Sequence, residues 1–230
     1  MMEYTVWLII VSLFLLFIYI GDKYHVADWQ HFIINVLDGW IRIYCRYFHH
    51  FIYQPIPVSN TGPTLLACNH LSGLDPFLII AACNKPIRFM IAKEEYERFG
   101  LQWLFHAAGC IPVERSGRVE VAFRQTLSAL KHCEVVALFP EGGINHQPKT
   151  HALRKLKLGV IKLSKISAVP ITALRVDGMR GQGHTLPTFV LPSKSSLTVL
   201  SELKCGNESD QHYLTQLTLI LSSKVSATDI

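Results

Sequence analysis

His70 and Asp75 stand five residues apart in the stretch Asn69-His70-Leu71-Ser72-Gly73-Leu74-Asp75-Pro76-Phe77, and an imidazole set beside a carboxylate is the chain's clearest provision for acid–base chemistry. A carboxylate that reaches the imidazole fixes its tautomer and stabilises the imidazolium, leaving the other ring nitrogen to take a proton. Ser72-Gly73 let the backbone fold back between the two. The same letters also spell an ordinary helix start, with Asp75 as N-cap and Pro76 at the first helical position. The spacing alone leaves both readings open.

Three further clusters fall at the ends of predicted strands, where open α/β sheets place their ligands. Gly109-Cys110-Ile111-Pro112-Val113-Glu114-Arg115 leads to a guanidinium whose planar fork suits a phosphate. Phe139-Pro140-Glu141-Gly142 ends a strand on a carboxylate and a glycine, and Val169-Pro170-Ile171 opens another strand. Taken singly, Arg115 reads equally as a surface residue, Glu141 as a solvated turn residue and Pro170 as a strand-start proline. No Gly-x-Ser-x-Gly elbow occurs, and Ser72 reads as a turn residue rather than a nucleophile.

These residues need a frame, and the apolar pattern supplies one. Strands are predicted at 64–68, 87–92, 110–113, 135–139, 169–176 and 196–200, and helices at 76–83, 93–106, 119–131, 153–166 and 210–223. Such alternation specifies an α/β fold with a mostly parallel central sheet flanked by helices. Ahead of it, the apolar run from Tyr4 to Ile20 reaches the lower limit of a spanning helix. It lacks a basic leader and a small-residue cleavage site, so a retained membrane helix is expected rather than a signal peptide. Lys23, Arg42 and Arg46 follow the run, which places the main domain on the cytoplasmic face.

Residues 28–52 repeat apolar side chains, Trp29 and Trp40 among them, at helical spacing with polar ones opposite. This amphipathic helix can pack on the domain core or lie at a membrane interface. Pro55-Ile56-Pro57 ends it, giving membrane-associated helices over 1–54 and a catalytic domain over 55–230.

Composition narrows the function. Half of the 230 residues are hydrophobic and mean hydropathy is +0.26, which points to contact with lipid. A net charge of +5 without a dense Lys/Arg block suits an anionic surface or a phosphate-bearing substrate and argues against nucleic acid. The six cysteines show neither Cys-x-x-Cys nor metal-ligand spacing, so reduced thiols and no metal site are expected.

In order, His-x4-Asp, Gly-x-Ile-x-Val-x-Arg, Phe-Pro-Glu-Gly and Val-Pro-Ile resemble the four motif blocks of the glycerolipid acyltransferases, the family that includes 1-acylglycerol-3-phosphate acyltransferase. The resemblance covers about residues 60–200. It implies acyl transfer from acyl-CoA or acyl carrier protein to the free hydroxyl of a membrane lysophospholipid, with no cofactor beyond that co-substrate. It makes His70 the general base and Asp75 its orienting partner, and puts Arg115 on the acceptor phosphate. Glu141 and Gly142 shape the acceptor site, and Lys93, where relatives often carry lysine, is a second phosphate contact. One departure matters: the third block commonly continues Glu-Gly-Thr-Arg-Ser, whereas this chain reads Glu141-Gly142-Gly143-Ile144-Asn145. Lys149, Arg154, Lys155 and Lys157 follow and can replace the missing cation, attract the phosphates of CoA or form a solvated face. Lysophosphatidate is the leading acceptor, a lysophospholipid with another head group the next. A thioesterase or lipase using the same pair, and a catalytically silent lipid-binding protein, are the alternatives.

Overall fold

The computed structural model describes residues 2–115, 117, 119–146 and 155–223. At its centre lies β2 (Thr64–Cys68), every residue of which is buried. Burial on both faces explains why the strand reads as an unbroken apolar run. Its neighbours are β5 (Val135–Leu138) and β6 (Ile171–Asp177), and the sheet continues through β3 (Ile87–Ala92) to β4 (Ile111–Val113) on one side. On the other side come β7 (Ser196–Leu203) and the two-residue β1 (Ile52–Tyr53), giving the order β1-β7-β6-β2-β5-β3-β4. All pairings are parallel except β6 with β7.

Successive residues of a strand face opposite ways, and β2 divides its side chains between two cores accordingly. Leu66 and Cys68 join a cluster with α3 (Asp75–Ala82) and α5 (Gln102–Ala107). Leu65 and Ala67 join another with α6 (Val119–Lys131), α7 (Gly159–Ser167) and α9 (Asp210–Ser222). Parallel strands share one C-terminal edge, so the turns that follow β2, β3 and β5 converge there.

An antiparallel pair, α1 (Met2–Tyr24) and α2 (Phe32–Phe48), covers the first face. The two cross at Gly21 and Gly39, where a Cβ on Gly39 would collide with the Gly21 carbonyl. Phe17 stacks on Trp40 with ring centroids 4.6 Å apart. Asp38 lies buried beneath them, accepting from Val26 N at 3.0 Å and Trp29 Nε1 at 3.2 Å. It pairs at 2.7 Å with Arg42, which also donates to the carbonyls of Ala81 at 3.0 Å and Cys83 at 2.6 Å. A cation there meets the negative end of the α3 dipole, so α2 is docked electrostatically as well as by packing. Of the two roles open to the amphipathic stretch, α2 takes the core: Ile34 and Cys45 belong to the same cluster as β2 and α3. By contrast α1 is long and apolar enough to cross a membrane and is almost wholly exposed.

Several predicted boundaries shift. The stretch 28–52 is helical only over Phe32–Phe48, because Gln30 (φ 55) and His50 (φ 40) take left-handed backbone, and Ile52-Tyr53 pair with β7 instead. The apolar run continues as helix to Tyr24, since Gly21 permits the close crossing. The helix expected over 93–106 is two, α4 (Lys93–Tyr96) and α5, interrupted near Gly100 (φ 80). The helix expected from 153 starts at Gly159; positions 153 and 154 lie outside the described residues. All six cysteines are free, as anticipated. Burial raises the Cys68 thiol, with Asp75 and Glu141 nearby adding to the rise, and pushes Cys110 up to about 11.

Candidate active site

Immediately after β2, Asn69 spans to β6, donating to Val176 O at 2.9 Å and accepting from Val176 N at 2.8 Å. This paired contact extends the sheet's bonding one residue beyond its edge and aims the next side chain, His70. The backbone of His70 is then held from both sides: its N–H donates to Glu141 Oε1 at 2.8 Å, and its carbonyl accepts from Asn145 N at 2.8 Å. Gly183 N donates to Leu71 O at 2.8 Å. Turns following β2, β5 and β6 are thereby stitched together around one histidine.

Asp75 is wholly buried. Its Oδ2 receives Leu71 N at 2.6 Å and Ser72 N at 2.9 Å and lies 2.9 Å from His70 Nδ1, while Oδ1 receives Ser72 Oγ at 2.7 Å. The carboxylate therefore points back into the turn instead of capping α3: the helix does start here, at Asp75 with Pro76 in its first turn, but Leu74 holds the cap position, with no side-chain cap bond. An oxygen that already takes two backbone N–H groups meets the ring as an acceptor, so Nδ1 carries the proton and Nε2 keeps its lone pair. Nε2 has no partner among the described residues. The ring stacks on Phe139 (centroids 4.0 Å, interplanar 16°), which fixes its plane. Ser72, fully buried and donating to Asp75, is a structural part of the turn, as its sequence position suggested.

The cations lie along the same edge. Ala92 registers with Val113, which brings Lys93 beside the second block, its Nζ 3.9 Å from both Glu97 and Glu114. Arg115, one residue further, is exposed and makes no ion pair among the described residues. From β2 to β4 is three strand spacings, about 14 Å, a gap that the arginine arm and a glycerol phosphate must bridge together. Glu141, expected to shape the acceptor site, is buried, and its carboxylate is engaged with the His70 backbone. Gly142 takes a left-handed φ of 71, and Lys157 lies over it: a Cβ there would sit 2.6 Å from Lys157 Nζ. The Lys157 N–H donates to Pro140 O at 2.8 Å, fastening that lysine to the third block. Lys149 and Arg154 lie outside the described residues.

Sequence reasoning missed Asn69, Phe139 and Asn145 as supports of His70. The first two were within reach, since Asn69 precedes the His-x4-Asp block and Phe139 opens the Phe-Pro-Glu-Gly block; Asn145 holds His70 through its backbone, which its residue type does not reveal. Chemically, a ring nitrogen with a lone pair, a fixed tautomer and a buried counter-charge can take a proton from a hydroxyl.

Comparison with known proteins gives three findings. The Acyltransferase family model matches residues 50–176, a stretch containing His70, Asp75, Lys93, Arg115, Glu141 and Gly142. A probable 1-acyl-sn-glycerol-3-phosphate acyltransferase from Mycoplasma pneumoniae is 27% identical over 124 residues, which are 51% of this chain and 45% of that protein. The match thus spans about half the length of the curated relative. Among solved structures, the 1-acyl-sn-glycerophosphate (LPA) acyltransferase PlsC from Thermotoga maritima matches with a TM-score of 0.63 at 16% identity, covering 85% of this chain and 80% of that one, a likeness of fold.

Proposed function

Because the chain belongs to the Acyltransferase family, we propose that it transfers a fatty acyl group from acyl-CoA or acyl carrier protein to the free hydroxyl of a lysophospholipid, with 1-acylglycerol-3-phosphate the favoured acceptor and phosphatidic acid the product. The single observation that carries this reading is the His70 Nδ1–Asp75 Oδ2 contact of 2.9 Å, which leaves Nε2 as the base. His70 Nε2 takes the acceptor's hydroxyl proton as that oxygen attacks the thioester carbonyl. The tetrahedral adduct collapses with loss of the C–S bond, and the same proton passes to the departing thiolate. Ester and free thiol result, and the imidazole ends as it began. Asp75 stabilises the transient imidazolium, while Glu141 holds the base in place.

Arg115 takes the acceptor phosphate, its fork matching the oxyanion, with Lys93 beside it. Lys157, fastened over Gly142, is the cation that stands in for the arginine the third block lacks. α1 anchors the protein in the membrane, with the catalytic domain on the cytoplasmic side. The test is product analysis by mass spectrometry, with acyl-CoA and a panel of lysophospholipids. Phosphatidic acid as the preferred product supports the reading; acylation of a zwitterionic lysophospholipid in preference assigns a different acceptor; no acylated lipid under any condition overturns it.

A further inference from the structure

Among the described residues, the exposed large aromatic side chains lie on α1, α2, β1 and the α4–α5 stretch. Tyr4, Trp7, Phe14, Tyr47, Phe99 and Trp103 are examples, whereas the exposed large hydrophobics on α6, α7 and α9 are Val119, Val121, Ile166 and Leu219, none aromatic among the described residues. Three separate apolar features meet at the C-terminal edge of the sheet, the edge that carries His70.

The first is the free end of α1. From the Gly21–Gly39 crossing, α2 runs nine residues to its end while α1 extends nineteen residues back to its start. About ten residues, roughly 15 Å of helix, therefore project beyond α2. That projection is toward the site, because the last turns of α2 reach the site's own supports: the Tyr44 hydroxyl donates to Phe189 O, and the Phe189 ring packs on Phe77 at the start of α3. The second feature is α8 (Pro187–Val190), in the loop after β6, where Leu186 and Val190 are more than 70% exposed. A Cβ on Gly73 of the catalytic turn would sit 2.8 Å from Thr185 of this loop.

The third is the tip between α4 and α5, which leaves the same edge after β3. Phe99 is fully exposed at its apex, Gly100 beside it has nothing near its Cβ position, and Trp103 is half exposed. The tip is nonetheless rooted, since Tyr96 is buried and stacks on Phe105, and Leu104 and Ala107 pack on the α3 core. A rigidly based loop that holds one bare aromatic in water is costly for a soluble surface and suited to a lipid interface.

We propose that the tip Phe99–Trp103, with Val190 of α8 and Leu186 just ahead of it, inserts into the lipid headgroup–acyl boundary beside the projecting end of α1, so that the bilayer surface lies across the sheet edge where His70 stands. This rests on the membrane association proposed above. Three spaced contacts, unlike one helix, fix the orientation of the domain, so the base faces the plane in which the acceptor's hydroxyl resides. A lipid surface is the occupant the features favour, because they are separate projecting side chains continuous with a helix long and apolar enough to cross a membrane.

The experiment attaches an environment-sensitive fluorophore to Phe99→Cys in a Cys133→Ser background, because Cys133 is exposed while the other five cysteines are buried or partly buried. The full chain is reconstituted with vesicles of phosphatidylcholine and phosphatidylglycerol containing nitroxide-labelled lipid, and Val121→Cys on α6 serves as the matched control. The expected result is a blue shift and strong quenching at 99 with neither at 121. A chain that floats with the vesicles while its probe at 99 behaves like that at 121 overturns the proposal alone. A chain that fails to float with vesicles overturns the membrane reading beneath it.

Discussion

Asp75 Oδ2 lies 2.9 Å from His70 Nδ1 while also accepting the backbone N–H groups of Leu71 and Ser72, so the carboxylate that orients the imidazole also builds the turn that carries it. Asp75→Asn should therefore lose on both counts. An amide offers one acceptor oxygen where four donors converge, which costs about 1–3 kcal/mol of stability, and it cannot stabilise the imidazolium. Thermal melting and turnover measured together should both fall; loss of stability with full turnover would make Asp75 purely structural.

Arg115 is exposed at the end of the second block, clear of the acids that hold Lys93. The proposed charge-assisted contact to the acceptor phosphate would contribute on the order of 1.5–3 kcal/mol, so Arg115→Ala should raise the acceptor KM roughly ten- to a hundredfold and leave the donor KM nearly unchanged. Arg115→Lys should recover part of this, since an ammonium lacks the fork. An effect on the donor KM alone would reverse the two pockets.

Lys157 makes a companion case. Lys157→Ala should raise the acceptor KM while the melting temperature stays near wild type, because the side chain lies on the surface. Gly142→Ala should do the same and also destabilise, since its methyl would displace Lys157 and strain a backbone at φ 71. Unchanged kinetics in Lys157→Ala would leave Arg115 as the principal anchor.

The two N-terminal helices should separate by truncation. Residues 3–16 of α1 are exposed throughout, so deleting 2–14 should leave the melting temperature of the folded domain intact and weaken vesicle flotation. Deleting through Phe48 strips Ile34 and Cys45 from the core and Arg42 from the end of α3, and should destabilise the domain severely. Equal behaviour of the two truncations would contradict the docking of α2.

His49 at the end of α2 is fully buried, with both ring nitrogens unpartnered among the described residues and edges of Tyr44 and Phe48 against it. Burial, assisted by His50, holds its pKa below the ordinary value. Between the unfolded value near 6.5 and the lower folded one, the unfolded chain binds a proton that the folded chain refuses. Stability present above about pH 6.5 is thus lost as the pH falls toward the folded value. His49→Phe should flatten this part of the pH–stability curve relative to wild type; identical curves would place the acid sensitivity elsewhere.

Much of this was legible in the sequence where partners are close along the chain. His70 and Asp75 share one turn, and period and punctuation located six of the seven strands within two residues at their N-terminal ends, missing only the two-residue β1. What escaped needs long-range contact. That Glu141 holds the His70 backbone depends on a partner 71 residues away, and that Lys157 covers Gly142 depends on a chain reversal no local pattern encodes. The break at Gly100 was hidden because the apolar spacing of residues 93–106 suits one helix, although the backbone at Gly100 is left-handed.

The central claim is that His70 is the base for transfer to a lipid hydroxyl. The direct measurement is thiol release from acyl-CoA by wild type and His70→Ala, each with and without lysophosphatidate. The account predicts release that depends on the acceptor and falls by a factor of about 100 to 10,000 in the variant, whose fold and membrane binding are unaltered. Wild-type release by His70→Ala would contradict the mechanism, and release independent of the acceptor would make the protein a hydrolase.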